Sequence, residues 1–336
     1  MKTLVCTTPG HFKYVVRDKP LLKKDHSILR IQRIGICGTD LHAFEGTQPY
    51  FQYPRVLGHE LAAVIEETDA EGFEKGDAVT VIPYFHCGQC IACRNGKTNC
   101  CTSLHVCGVH IDGGMTEYLS VPSYSLLHSE GLGFDELALI EPLAIGAHAV
   151  RRAAITANEY VLVIGAGPIG LGIMEFSRIA GANVIAMDIN EDRLNFCKEK
   201  LNVTHIVNAA SPDVPEQLKM ITNRDMPTVI IDATGNLAAI NNAFQYLSHG
   251  GRYILVGLQK ENISISHPEF HKREATLMSS RNATKDDFMH VMDSIKNRLV
   301  DPANYITHRV CFDEVKNSFE GWLDPANRVI KAMVSM

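Results

Sequence analysis

Hydrophobic residues do not keep one period along this chain. Up to about residue 125 they form short β-rich runs, such as Ser27 to Ile34 and Ala78 to Ile82, broken by Gly, Pro and Asp. That texture predicts an all-β, barrel-like region. From about Phe134 an Ala- and Leu-rich stretch through Arg152 reads as a helix, and after it apolar runs alternate with helical segments. The expected strands are Tyr160–Ile164, Val184–Met187, His205–Val207, Val229–Asp232, Tyr253–Val256 and Leu277–Ser280. Unbroken apolar runs suit a parallel sheet covered on both faces, so this region reads as α/β. From about Lys285 one helix-like stretch, Asp286 to Asn297, precedes mixed short elements running to Met336.

Composition narrows the classes. The 336 residues suggest about two domains, and 46% hydrophobic with 21% charged residues is ordinary globular usage. A net charge of −6 lacks the basic footprint of a nucleic-acid binder. The amino terminus has no apolar run of the secretory kind after Lys2. The most apolar stretch, Val161 to Met174, holds four glycines and falls short of the roughly 20 residues a membrane span needs. A cytoplasmic protein with no membrane partner is the expectation.

The run VLVIGAGPIGLG sets Gly165, Gly167 and Gly170 in a GxGxxG spacing directly after a strand and before a helix that ends near Gly181. Gly165 permits the tight turn, Gly167 lets backbone approach a pyrophosphate, and Gly170 lets helix and strand pack closely. Pro168 and Ile169 belong to the same turn. Asp188, eighteen positions after Gly170, ends the second strand, where a carboxylate accepts hydrogen bonds from a ribose and repels a 2′-phosphate. NAD is therefore favoured over NADP, although Arg193 softens that preference; the alternative for Asp188 is a cap on the following helix. Gly235 and Gly257 fall after later strands, on the carboxyl edge where a nicotinamide lies.

Ten cysteines in an unexported chain point to metal or redox chemistry before disulfides. Cys87, Cys90 and Cys93 are spaced by three, with Cys100 and Cys101 following, and four thiolates on one loop make a closed tetrahedral zinc site that is structural. Spacing alone leaves Cys100 or Cys101 as the fourth ligand. Elsewhere GICGTDLHAF, LGHE and IEPLAIGAHAV supply Cys37, His59, Glu60 and Glu141, an N/O/S set that could hold an open zinc site. Taken singly, these are a buried thiol, a loop histidine and a helix-terminal acid.

The order CGTDxH, GHE, four-cysteine loop, EP and GAGPIG resembles the zinc-dependent medium-chain dehydrogenases over essentially the whole chain. The resemblance implies a GroES-like β-barrel catalytic domain over 1–148 with its zinc loop at 86–102, and a doubly wound Rossmann domain over 149–283. A return to the catalytic domain over 284–336 and an active cleft between the two complete it. It implies two zinc ions per subunit: a catalytic ion on Cys37 and His59, completed by Glu60 and Glu141, and a structural ion on Cys87, Cys90, Cys93 and Cys101. It makes Thr39 and His42 a hydroxyl-to-imidazole proton relay towards solvent, and Asp40 the carboxylate that orients the zinc histidine. Two carboxylates and a thiolate outweigh the charge of zinc, so that sphere needs a nearby cation or a carboxylate that moves aside.

Glu-Pro at 141 resembles the polyol, threonine and sugar-acid branches rather than the simple-alcohol ones. GTQPYFQYPRVLGHE, GVHIDGGMTEYLSVP, DATGN and PEFHKREATLMSSRNAT look like the sugar-acid members, L-galactonate or L-gulonate 5-dehydrogenases and the bacterial starvation-sensing dehydrogenase among them. For such a substrate Arg281, with His110 second, is the expected partner of the carboxylate. L-threonine or sorbitol-type dehydrogenases are the alternatives, and an NAD- or metabolite-sensing protein is the non-enzyme one. The resemblance also implies a homodimer or homotetramer joined through Rossmann edge strands near Ile254 and Leu277.

Overall fold

The computed structural model describes every residue except Tyr50. Two compact units form: Met1–Pro142 with Thr284–Met336, and Leu143–Ala283. The division falls inside the helix Phe134–Ala153, at its internal Pro142.

The first unit is built on a seven-stranded sheet. Its order is Ile306–Cys311, Lys331–Ser335, His26–Gly35, Glu60–Thr68, Ala78–Val81 and Leu126–His128, with Tyr118–Pro122 also pairing to His26–Gly35. Register shifts at Ile28/Leu29 and Ile31/Arg33, where His26–Gly35 meets Glu60–Thr68, are the kind of irregularity that bends and twists a sheet. The carboxy-terminal strand pairs Met333 with Gly35, and Gly35 in turn pairs with Glu60, so three strands distant in sequence meet at one level. Leu29, Ile31, Leu61 and Val79 share a core with Phe319 and Trp322 of the helix Val315–Leu323. Phe319 lies 4.7 Å from Phe12 and 5.3 Å from Phe44, ring centre to ring centre.

Besides the four-residue helix Ile91–Arg94, the region expected to be all-β carries a helix that periodicity did not announce, Gly38–Glu45. A reciprocal cap starts it: the Cys37 N–H donates to Asp40 Oδ2 at 3.0 Å while the Cys37 side chain receives the amide of Asp40. Thr-Asp just behind Cys37 was the available signal, hidden by the absence of an apolar stripe.

The second unit is an all-parallel six-stranded sheet. Its order is His205–Asn208, Asn183–Asp188, Tyr160–Ile164, Val229–Asp232, Arg252–Leu255 and Thr276–Ser279, the 3-2-1-4-5-6 order of a doubly wound dinucleotide-binding sheet. Each expected strand is present within a residue or so of its ends. Leu162, Ile185, Ile230 and Tyr253 are fully or almost fully buried, which is why these runs show no alternation. One expectation is corrected. Ile254 lies not on an edge but on a strand paired on both sides, and it is fully buried; Leu277, on the outermost strand, is exposed. Among the described residues no helix is long and apolar enough to cross a membrane.

Because Phe319 joins the carboxy-terminal segment to the core of the first unit, Phe319→Ala should destabilise the protein by roughly 3–5 kcal/mol. Urea unfolding reads this, and a change below about 1 kcal/mol would show that the helix is not integral to that core.

Candidate active site and metal centres

Cys37 caps the helix Gly38–Glu45, and Asp40 ties that cap to the loop ahead of His59 by accepting the Gly58 N–H on Oδ1 at 3.0 Å. Glu60 opens the strand Glu60–Thr68. Cys37, His59 and Glu60 thereby present donor atoms that all lie within 4.8 Å of one another. Gly35 makes room for the carboxylate, since a Cβ there would stand 2.0 Å from Glu60 Oε2. Glu141, in the helix Phe134–Ala153, is buried but falls outside this set of three. Tyr84 donates its hydroxyl to Glu141 Oε1.

Lys331 was not legible from any motif. It lies 271 positions from Glu60, is almost completely buried, and donates to Glu60 Oε1 at 2.5 Å, Glu60 Oε2 at 2.8 Å and the Ile36 carbonyl at 3.0 Å. Burial pushes an ammonium down, yet Glu60, with Cys37 and Glu141, outweighs burial and holds Lys331 above its usual value. His59 behaves alike: burial is opposed by Asp40 and Cys37, and its imidazole is held well above the ordinary range. Burial raises the Glu141 carboxyl to about 7. These directions describe a buried, strongly negative surrounding that favours positive charge.

Asp40 needs a correction. It stands 3.7 Å from His59 Nδ1, too far for a hydrogen bond, and its two oxygens accept the amides of Cys37 and Gly58. It acts on His59 through charge and also fixes the loop. His59 Nδ1 and Glu141 Oε2 are buried side-chain atoms with no hydrogen-bond partner among the described residues. Unmade bonds of this kind are costly, and a divalent cation beside a thiolate, an imidazole and carboxylates would satisfy the Glu141 oxygen, so the residues present fit such an ion. Thr39 is half-buried in the Gly38–Glu45 helix. His42 is exposed, with Nδ1 3.3 Å from Glu45 Oε2 and 3.4 Å from Thr47 Oγ1; no hydrogen bond joins it to Thr39.

The sulfurs of Cys87, Cys90, Cys93 and Cys101 also lie within 4.8 Å of one another, with Cys90–Cys93 and Cys87–Cys101 at 3.5 Å. A tetrahedral zinc with bonds of about 2.3 Å requires sulfurs about 3.8 Å apart, so four ligands fit and no position is left open. Backbone hydrogen bonds lower the Cys90 thiol to about 5 and also lower Cys87, whereas burial and the Cys90 side chain raise Cys93 to about 12. Cys100 is exposed and stands outside the cluster.

In the second unit Gly165 adopts φ +98°, and Gly170 approaches so closely that a Cβ would lie 1.7 Å from the Gly165 carbonyl oxygen. At Gly167, the cap of the helix Pro168–Ile179, nothing stands within 4 Å of where a Cβ would be, which leaves the backbone accessible to a phosphate. Pro168 begins that helix, and Ile169, next to it, is half-buried. Asp188 accepts the Ala166 N–H at 2.6 Å and the Asn190 N–H at 2.9 Å. Its alternative reading as a helix cap is set aside, since Asn190 caps Glu191–Leu201 by accepting the Arg193 N–H. Gly235 and Gly257 touch backbone to backbone, a Cβ on Gly257 falling 2.1 Å from the Gly235 nitrogen. Arg193 and Arg281 are exposed. His110 accepts the Val106 N–H on Nδ1 at 3.0 Å.

Residues 23–130 match the alcohol dehydrogenase GroES-like domain, and residues 168–297 match the zinc-binding dehydrogenase family. The chain belongs to the zinc-type medium-chain alcohol dehydrogenases and is an oxidoreductase. Among its relatives is the L-galactonate-5-dehydrogenase of Escherichia coli K12, 40% identical over 100% of this chain and 99% of that one. The starvation-sensing protein RspB of the same strain is 34% identical over 95% and 94%. The crystal structure of rspB from Escherichia coli CFT073, complexed with the cofactor NADH, superposes with a TM-score of 0.93 at 31% identity, covering 100% and 99% of the two chains.

Removing the ammonium while keeping the acid would strand a buried charge, so Lys331→Met should cost roughly 3–5 kcal/mol in urea unfolding, and adding Glu60→Gln should restore most of it. Two losses that simply add would deny the pair its role.

Proposed function

We propose that this chain is an NAD-dependent dehydrogenase that oxidises a secondary hydroxyl of a sugar acid, the C5 hydroxyl of L-galactonate or L-gulonate being the best candidate. The observation that carries the reading is the Cys37–His59–Glu60 group, its histidine and carboxylate buried, with the unpartnered Glu141 oxygen beside its charge field. Likeness to a full-length relative named for L-galactonate supports the substrate class.

In this reading Cys37, His59, Glu60 and Glu141 hold the catalytic zinc, and Cys87, Cys90, Cys93 and Cys101 hold a second, structural one. When bound, zinc supplies Lewis-acid polarisation of the alcohol oxygen and the nicotinamide supplies the hydride acceptor. Charge bookkeeping fits the donors. Lys331 neutralises Glu60, and Cys37 and Glu141 bring negative charge that a divalent ion would meet, while Asp40 adds to the negative field at His59. Thr39 Oγ1 would accept the hydrogen bond of the substrate hydroxyl and release its own proton as that one arrives, and His42, exposed beside Glu45, would pass a proton on to water. The Gly165–Gly170 turn cradles the pyrophosphate, with Pro168 and Ile169 shaping it. Asp188 takes the ribose, already oriented by two amides, and Gly235 and Gly257 flank the nicotinamide half. Arg281, with His110 second, receives the carboxylate of the acid.

NADH formation measured across hexonates, hexitols, pentitols and L-threonine should be fastest with L-galactonate or L-gulonate and should fall away in chelator. Preference for threonine would overturn the substrate assignment. Arg281→Ala should raise KM for the acid about tenfold or more while leaving the matching neutral polyol nearly unchanged; equal loss on both would remove Arg281 from the carboxylate site.

A further inference from the structure

Tyr84 lies on the two-residue strand Tyr84–Phe85, just ahead of the cysteine loop, buried and with its ring edge-on to Phe288 at 6.3 Å. Nothing in the motifs points to it. Its hydroxyl donates to Oε1 of Glu141, while Oε2 of the same carboxylate is buried with no partner among the described residues. A carboxylate free at both oxygens turns readily about its last torsion, which is broad and roughly two-fold. One oxygen held by a buried donor removes that freedom.

We propose that Tyr84 is a positioning residue for the oxidation: by occupying Oε1 it restricts Glu141 to a single oxygen, Oε2, for the divalent ion or for the alcohol beside it. This rests on the reading of Glu141 as a donor to that site. An open position is what separates a catalytic metal site from a structural one. A carboxylate gripping the ion through both oxygens would take up the position that substrate needs, and the Tyr84 hydroxyl prevents it. The closed four-cysteine loop needs no such device.

Tyr84→Phe keeps the ring against Phe288 and deletes only the hydroxyl. With Co2+ in place of zinc, visible absorption is strong for a four-coordinate ion and weaker once the coordination number rises. The difference spectrum between parent and variant cancels the four-cysteine site. Weaker bands in Tyr84→Phe are expected, with kcat lowered about tenfold or more and thermal midpoint little changed. Both effects should vanish in a Glu141→Ala background, as a double-mutant cycle requires. A cobalt spectrum and kcat unchanged in Tyr84→Phe, while Glu141→Ala alters both, would overturn the role of Tyr84 and leave that of Glu141 standing. Effects of Tyr84→Phe that persist without Glu141 would reduce Tyr84 to packing. A cobalt spectrum indifferent to Glu141→Ala would remove the donor reading and this proposal with it.

Discussion

Taking Glu60 out of water costs several kcal/mol, and Lys331, equally buried, offsets that cost by giving each carboxylate oxygen a donor. The rest of the donor group depends on this pair. Without the ammonium, Cys37, Glu60 and Glu141 would gather three negative charges in a buried volume, one more than a divalent ion neutralises. With it, Glu60 is neutralised and has a defined place against the backbone of Gly35. Asp40, its oxygens held by two backbone amides, keeps its charge and adds to the negative field at His59.

The two metal centres obey opposite demands with the same polypeptide chemistry. The cysteine loop offers four like ligands from one short segment, so local chain geometry closes the sphere by itself. The other group draws Cys37, His59 and Glu60 from a helix cap, a loop and a strand start, and therefore owes its shape to how those elements pack. Its surplus polar atoms, His59 Nδ1 and Glu141 Oε2, mark where protein contacts stop. In the second unit the same logic appears in backbone form: Gly165, Gly170, Gly235 and Gly257 sit where a single methyl group would collide with main-chain atoms or side chains.

Legibility followed the range of the interaction. The six parallel strands were plain because each is a buried apolar run, and the Gly-rich turn was plain because its steric requirement spans six residues. The four-cysteine loop was equally local. The Gly38–Glu45 helix escaped, since its start rests on one reciprocal cap and its length carries no apolar stripe. Ile254 was misplaced on an edge because a strand's rank within a sheet depends on crossovers that periodicity does not encode. Asp40 was recognised as a carboxylate near His59, but that its oxygens serve Cys37 and Gly58 required the folded loop.

What this sequence determined alone is the inventory: strands buried on both faces, a turn that only glycine can make, and thiol, imidazole and carboxylate groups of the right kind for zinc. Each of these is written in spacing over a few residues, where covalent geometry limits the outcomes. Tertiary structure alone decided which charges meet. Lys331 and Tyr84 reach Glu60 and Glu141 across 271 and 57 positions, through strand pairing and side-chain burial. Such contacts leave no local signal, because a buried ion pair or hydrogen bond is defined by the water it excludes and not by the residues beside it in the chain.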